Sequence, residues 1–234
     1  MFNKCEEKTL SRRALMLGGA GVLAAVPFCS FAQVPPTTAA STPDAALALL
    51  TEGNIRYAAN EPRQRDFSAS RGSLAMGQAP FAAILGCADS RIAPELAFDQ
   101  NPGDLFVVRV AGNFVTSEGV GSLEYGAAVL GTKLIMVLGH TSCGAIQATI
   151  SALQKGNKYP GEIAGLVRAL KPGLESVMKT PGADLEQRAV IANVRYNMAR
   201  LNKSKPVLSD LIAKKQLRIV GGFYDLATGK VTMV

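Results

Sequence analysis

The sequence predicts an α/β fold, a mainly parallel central β-sheet flanked by helices. Two observations carry that prediction. Residues 81–86 (FAAILG) and 134–139 (LIMVLG) are apolar runs of strand length that stop abruptly at small and polar residues, as strands buried on both faces do. Stretches with apolar residues at three- and four-residue spacing lie between and after them, and strands alternating with helices build parallel sheets.

The elements follow in order. Residues 43–60 (PDAALALLTEGNIRYAAN) repeat Ala, Leu and Ile at the spacing of an amphipathic helix, and 61–78 are polar and loop-like. The strand at 81–86 runs into the loop Cys87-Ala88-Asp89-Ser90-Arg91, and a short helix is expected near 94–98. Asn101-Pro102-Gly103-Asp104 is a turn signal, followed by a strand at 105–110 (LFVVRV) that Ala111-Gly112-Asn113 closes. Residues 117–131 read as a helix leading into the strand from Leu134, and 144–155 as another helix. Residues 184–216 are mostly helical with a break near Lys205-Pro206. Residues 217–224 make a fourth strand, and the turn at 225–230 folds 231–234 back on it as a terminal hairpin.

Composition limits the function classes. The 234 residues, 48% apolar, suit one substantial core, and there is no internal repeat. The formal net charge is +7, but no cluster of Lys and Arg is interleaved with aromatics, so a nucleic-acid partner is not expected. Gly119 and Gly121 suggest a dinucleotide fingerprint, but Glu124 occupies the third glycine position, and no phosphate-loop lysine motif is present.

The N-terminal segment reads as an address. Ser11-Arg12-Arg13 precedes an apolar stretch at 15–28 broken by Gly18, Gly19 and Gly21, which resembles a twin-arginine export signal. Ser30-Phe31-Ala32 offers a cleavage site after Ala32. The organisation is then a signal at 1–32, a flexible lead-in at 33–42 and a single domain at 43–234, exported folded to a bacterial periplasm or secreted. No stable membrane association is expected once the signal is cut; a retained anchor is the alternative. Removal of the signal takes Cys5 and Cys29 with it and leaves about +5 of the charge, because Lys4, Lys8, Arg12 and Arg13 stand there against Glu6 and Glu7.

Two cysteines then remain, Cys87 and Cys143, each at the end of a core strand, with His140, the single histidine. An exported chain with one cysteine pair ordinarily forms a disulfide. Two thiols and an imidazole also make a soft-metal set with one position open, the pattern of a catalytic zinc. Asp89, two residues beyond a ligand, is placed to accept a hydrogen bond from a metal-bound water, and Arg91 to hold that carboxylate in a bidentate pair. The plain alternative is a loop cap and a surface charge.

The pairing of Cys87-Ala88-Asp89-Ser90-Arg91 with His140-Thr141-Ser142-Cys143-Gly144, about fifty residues on, resembles the β-class carbonic anhydrases. Further matches run along the chain: Glu52-Gly53-Asn54 with Arg56, Gly77-Gln78, Pro102-Gly103 with Phe106 and Arg109, Glu124-Tyr125, and Tyr224-Asp225-Leu226 with Thr228-Gly229. The resemblance implies one Zn2+ per subunit on Cys87, His140 and Cys143. It also implies reversible hydration of carbon dioxide to bicarbonate and a proton, with Asp89 and Arg91 as catalytic residues. Zinc would bring its water to a pKa of about 7, the value of carbonic anhydrases with three histidine ligands. The family further implies a homodimer or homotetramer, with Gln78, Phe106 and Tyr125 lining the substrate cleft in part across subunits. Core packing is the alternative for the two aromatics.

In some relatives the aspartate matching Asp89 becomes a fourth ligand in an inactive state. Ala111 stands where many relatives carry a larger aliphatic residue, which implies a roomier cleft. The inhibitory bicarbonate site of some relatives uses a tryptophan where this chain has Ile84, so that site is expected to be missing. With His140 on the metal, no histidine is left to shuttle protons. Two other readings keep the metal: hydrolysis of carbonyl sulfide or carbon disulfide, and an exported zinc-binding protein without catalysis.

Overall fold

The structure is a computed structural model and describes residues 40–180 and 182–234. The export-signal reading, and most of the lead-in, lie outside the described residues. Among the described residues, no helix is long and apolar enough to cross a membrane.

Two fully buried strands, β1 (Ala82–Gly86) and β3 (Leu134–His140), form the centre of a five-stranded sheet. β2 (Leu105–Arg109) flanks β1, and β4 (Arg218–Tyr224) flanks β3, all four parallel. β5 (Val231–Met233) turns back antiparallel on β4, the expected hairpin, and completes the order β2-β1-β3-β4-β5. Gly86 pairs with Leu138, so β3 runs two residues beyond the end of β1. That register brings Cys87 and His140 to one edge of the sheet, where parallel α/β sheets gather their functional loops.

Helices cover both faces. α1 (Pro43–Ala58) starts at Thr42, whose hydroxyl accepts from the Ala45 N–H at 3.2 Å, with Pro43 in its first turn. It packs with α3 (Pro94–Ala97) on one apolar cluster that includes Leu50, Ile84, Phe98 and Met136. α4 (Ser117–Ala128), capped by the Thr116 hydroxyl, crosses from β2 to β3. With α7 (Leu185–Asn202) and α8 (Val207–Ala213) it covers the other face through Leu123, Val194, Leu201 and Leu208. A third cluster sits over the edge that carries Cys87 and Cys143. Its apolar wall comes from Ile146 on α5 (Gly144–Lys155), Leu170 and Leu174 on α6 (Ile163–Met178), and Val190 on α7.

The structure differs from the sequence expectation in three places. A single turn, α2 (Arg71–Leu74), stands in the stretch read as loop. The helix expected over 117–131 stops at Ala128, and Gly131 adopts a left-handed φ of 77°. α6 is the third difference, in a stretch where Pro172 and the glycines 165 and 173 read as breaker signals. Its stripe of Val167, Leu170, Gly173 and Leu174 nevertheless buries against the core, and tertiary packing outweighs the weak local preference.

Candidate metal centre

Three elements converge at the carboxyl edge. Cys87 follows the last residue of β1, His140 is the last residue of β3, and Cys143 is the residue before α5. All three are buried, and their ligand atoms lie within 4.8 Å of one another. The two sulfurs are 4.0 Å apart and both cysteines are free. A disulfide needs about 2.05 Å, whereas two thiolates on a tetrahedral zinc with bonds of about 2.3 Å stand about 3.8 Å apart. The separation fits shared metal ligation, and the alternative of a Cys87–Cys143 disulfide is not adopted.

The histidine completes the fit. His140 Nδ1 lies 2.8 Å from the Thr141 carbonyl oxygen, which places the ring proton on Nδ1 and leaves a lone pair on Nε2. Nε2 is buried without a hydrogen-bond partner, an expensive arrangement for a nitrogen unless a metal takes its lone pair. The sulfur of Cys87 accepts the Gly112 N–H at 3.2 Å. The hydrogen bond from Cys143 is the main reason the Cys87 thiol is pulled well below the usual thiol range, against burial, with His140 and Gly112 contributing. Cys143 is pushed up, first by that same shared proton and then by burial. Burial lowers the His140 imidazole, but Cys87, the Thr141 carbonyl and the Asp89 carboxylate together outweigh it and the net shift is upward. A dication among these groups reverses that preference and favours two thiolates and a neutral imidazole.

Asp89 stands beside the cluster, its Oδ2 3.9 Å from His140 Nε2. Arg91 grips it in a fork, Nε to Oδ1 at 2.9 Å and Nη2 to Oδ2 at 2.7 Å. Hydrogen bonding from Arg91 holds the Asp89 carboxyl far below the usual carboxylate range. The same Nη2 donates to the Ser142 carbonyl at 2.9 Å, tying the loop after β1 to the loop after β3. Ser142 itself holds a left-handed φ of 55° one residue before Cys143. The loop-cap alternative holds in part, since the Arg91 backbone N–H also donates to Asp89 Oδ1 at 2.9 Å. The fork places the carboxylate at the cluster all the same.

Comparison with known proteins agrees with this geometry. A family model described as carbonic anhydrase matches residues 82–231, which contain all five of these side chains. The chain belongs to the β-class carbonic anhydrase family. It is 41% identical over 202 residues to carbonic anhydrase 2 of Mycobacterium tuberculosis, covering 82% of this chain and 93% of the relative. A β-carbonic anhydrase of Coccomyxa, solved in complex with acetazolamide, superposes with a TM-score of 0.64 at 29% identity, over 80% of this chain and 86% of that one. A tetrameric β-carbonic anhydrase of Sordaria macrospora gives a TM-score of 0.63 at 27% identity, over 70% and 84%.

Within one chain of this family member, the residues expected to line a substrate cleft do not reach the cluster. Gln78 is exposed ahead of β1, at the sheet edge opposite Cys87, and the five residues of β1 span about 17 Å. Phe106 pairs with Ala83, three positions before the strand end, and its ring lies 6.4 Å from that of Tyr125 on α4. Phe106 packs against the core and Tyr125 is 44% exposed.

Arg109, noted from sequence only as a family match, organises the Cys87 loop. Its guanidinium donates to the carbonyls of Cys87 at 2.8 Å, Asp89 at 2.6 Å and Ile92 at 3.0 Å. A charged residue closing the apolar strand LFVVR, in register with Gly86, was the signal that could have revealed it.

Proposed function

We propose that this protein is a zinc enzyme that reversibly hydrates carbon dioxide to bicarbonate and a proton. The observation that carries this reading is the buried Cys87, His140 and Cys143 set, with an orphaned Nε2 and the Arg91-held Asp89 carboxylate beside it. A zinc ion held there supplies a water of lowered pKa, about 7 in open three-ligand sites, and hence a nucleophile at neutral pH.

The chain's own residues do the rest. Cys87 and Cys143 would hold the ion as thiolates and His140 through Nε2, with its other nitrogen fixed by Thr141. Asp89 remains ionised throughout the neutral range, so its Oδ2 accepts a hydrogen bond and orients the nucleophile toward the substrate carbon. Arg91 engages both carboxylate oxygens and would restrain Asp89 from binding a metal itself. The apolar wall of Leu170, Val190 and Phe223 limits water behind the ligands. The released proton has no second histidine to carry it, because His140 is the only one, and it leaves through water, buffer or a carboxylate.

We further propose a homodimer or a multiple of one, in which the partner brings Gln78 and the Phe106–Tyr125 pair to the cleft. The supporting observations are the place of β2 as the terminal strand of the sheet among the described residues and the position of Gln78 far from its own cluster. We also propose export by the twin-arginine route on the strength of Arg12 and Arg13. Zinc loaded before transport would protect Cys87 and Cys143 from oxidation.

The deciding experiment measures metal content and carbon dioxide hydration on the purified protein, before and after a chelator. Close to one zinc per chain, loss of hydration on chelation and recovery on adding zinc are expected. Hydration that survives complete metal removal refutes the reading. Solution mass and N-terminal sequencing of protein recovered from the periplasm test the oligomer and the export proposals.

A further inference from the structure

Loop 111–115, between β2 and α4, supplies the Gly112 N–H that faces the Cys87 sulfur. It is an awkward loop, with left-handed φ values at Gly112 (84°) and Asn113 (42°). Asn113 is itself buried, yet neither polar atom of its amide has a hydrogen-bond partner. The anchors come instead from α7. Asn193 Nδ2 donates to the Gly112 carbonyl at 2.9 Å. Asn197 Oδ1 accepts the Val115 N–H at 2.8 Å, and Arg200 Nη1 donates to the Val115 carbonyl at 3.0 Å. These three residues share one face of the helix.

The Asn193 amide has little freedom. It is 1% exposed, and Asn197 Nδ2 donates to its Oδ1 at 3.0 Å, so its own Nδ2 is directed at Gly112. Close approach of neighbouring elements puts it there. A Cβ on Gly173 of α6 would lie 3.1 Å from Asn193 Oδ1, and one on Gly139 of β3 would lie 2.7 Å from Val190 Cγ1.

We propose that Asn193 is a positioning residue for the metal centre: it fixes Gly112 so that its N–H stays aimed at the Cys87 sulfur. The inference rests on the zinc role of Cys87 proposed above. A held N–H locates the thiolate and keeps part of its charge, as outer partners of metal ligands do. With Asn193 removed, the Gly112 backbone turns more freely and Cys87 loses the 3.2 Å hydrogen bond that the Gly112 N–H gives its sulfur.

The test compares Asn193→Leu, close in size but unable to donate, with Arg200→Met, which cuts an α7 anchor at Val115 without touching Gly112. Two readouts are needed: zinc affinity by chelator competition, and the sulfur-to-metal charge-transfer band of the cobalt-substituted protein. The expected result is about tenfold weaker zinc binding and a displaced band for Asn193→Leu. Arg200→Met is expected to keep both even where its melting temperature falls by the same amount. Should the leucine variant fail to fold, Asn193→Ser, too short to reach the Gly112 carbonyl, carries the same expectation. Wild-type affinity and band in the Asn193 variant, or affinity that merely tracks stability across both sites, overturns the inference alone. Absence of zinc binding by the wild type overturns the functional reading and this inference together.

Discussion

Gly139→Ala tests how tightly the metal centre depends on packing behind it. Gly139 precedes His140 in β3, and an added methyl would lie 2.7 Å from Val190 Cγ1 and 2.8 Å from Val194 Cγ2. Carbon atoms pack at about 3.5–4.0 Å, so the overlap approaches about 1 Å at two places. Both valines are buried on α7, where a β-branched side chain has essentially one rotamer and does not swing away. Either α7 or the end of β3 must move. Overpacking of this kind costs about 1–3 kcal/mol, or roughly 2–12 °C of melting temperature in a domain of this size. A displacement of His140 by even a few tenths of an ångström exceeds the tolerance of about 0.2 Å on metal–ligand distances, so zinc affinity falls with stability. Thermal unfolding and chelator competition read the two effects. Val194→Ala in the same chain relieves one overlap, and the double variant recovers part of both losses, with a coupling of about 0.5–3 kcal/mol. If Gly139→Ala keeps wild-type stability and zinc affinity, the account of α7 as a rigid backing for His140 is wrong.

Arg91→Gln removes the fork from Asp89, and carbon dioxide hydration is expected to fall about 10–100-fold with zinc content unchanged. The deficit holds across the neutral range, where Asp89 is ionised in both proteins; a deficit confined to acid pH would point to protonation instead. Turnover measured by stopped flow is expected to rise with buffer concentration, because the proposed metal role takes up the single histidine; a rate indifferent to buffer contradicts that assignment. Asp99, buried between Arg56, Arg65 and the Arg63 backbone N–H, anchors the stretch after α1 to α3. Burial pushes its carboxyl up, but the hydrogen bonds from Arg56 and Arg63 and the charge of Arg65 prevail and the net shift is downward. Its contribution to stability is therefore present above the unfolded value of about 3.9 and is lost as pH falls through the lower folded value. Asp99→Asn is expected to cost about 3 kcal/mol near neutral pH and to flatten the acid limb of the unfolding curve.

The strands and the candidate ligand set were legible in the residue order alone. Continuous apolar runs report burial on both faces, and they ended at the residues that carry thiol and imidazole, because strand termini and loop chemistry are local properties. The paired motifs around Cys87 and His140 likewise pointed to Asp89 and Arg91. The folded arrangement was needed to show that the two sulfurs stand 4.0 Å apart as free thiols rather than bonded, since strand register sets that distance. It alone placed Gln78 at the far edge and assigned Arg109 and Asn193 to the loops that hold Cys87. It also showed a helix through Pro172, where a buried stripe outweighs local propensity. Those features depend on the close approach of distant segments at Gly139 and Gly173, and no periodicity along a chain encodes which surfaces will meet.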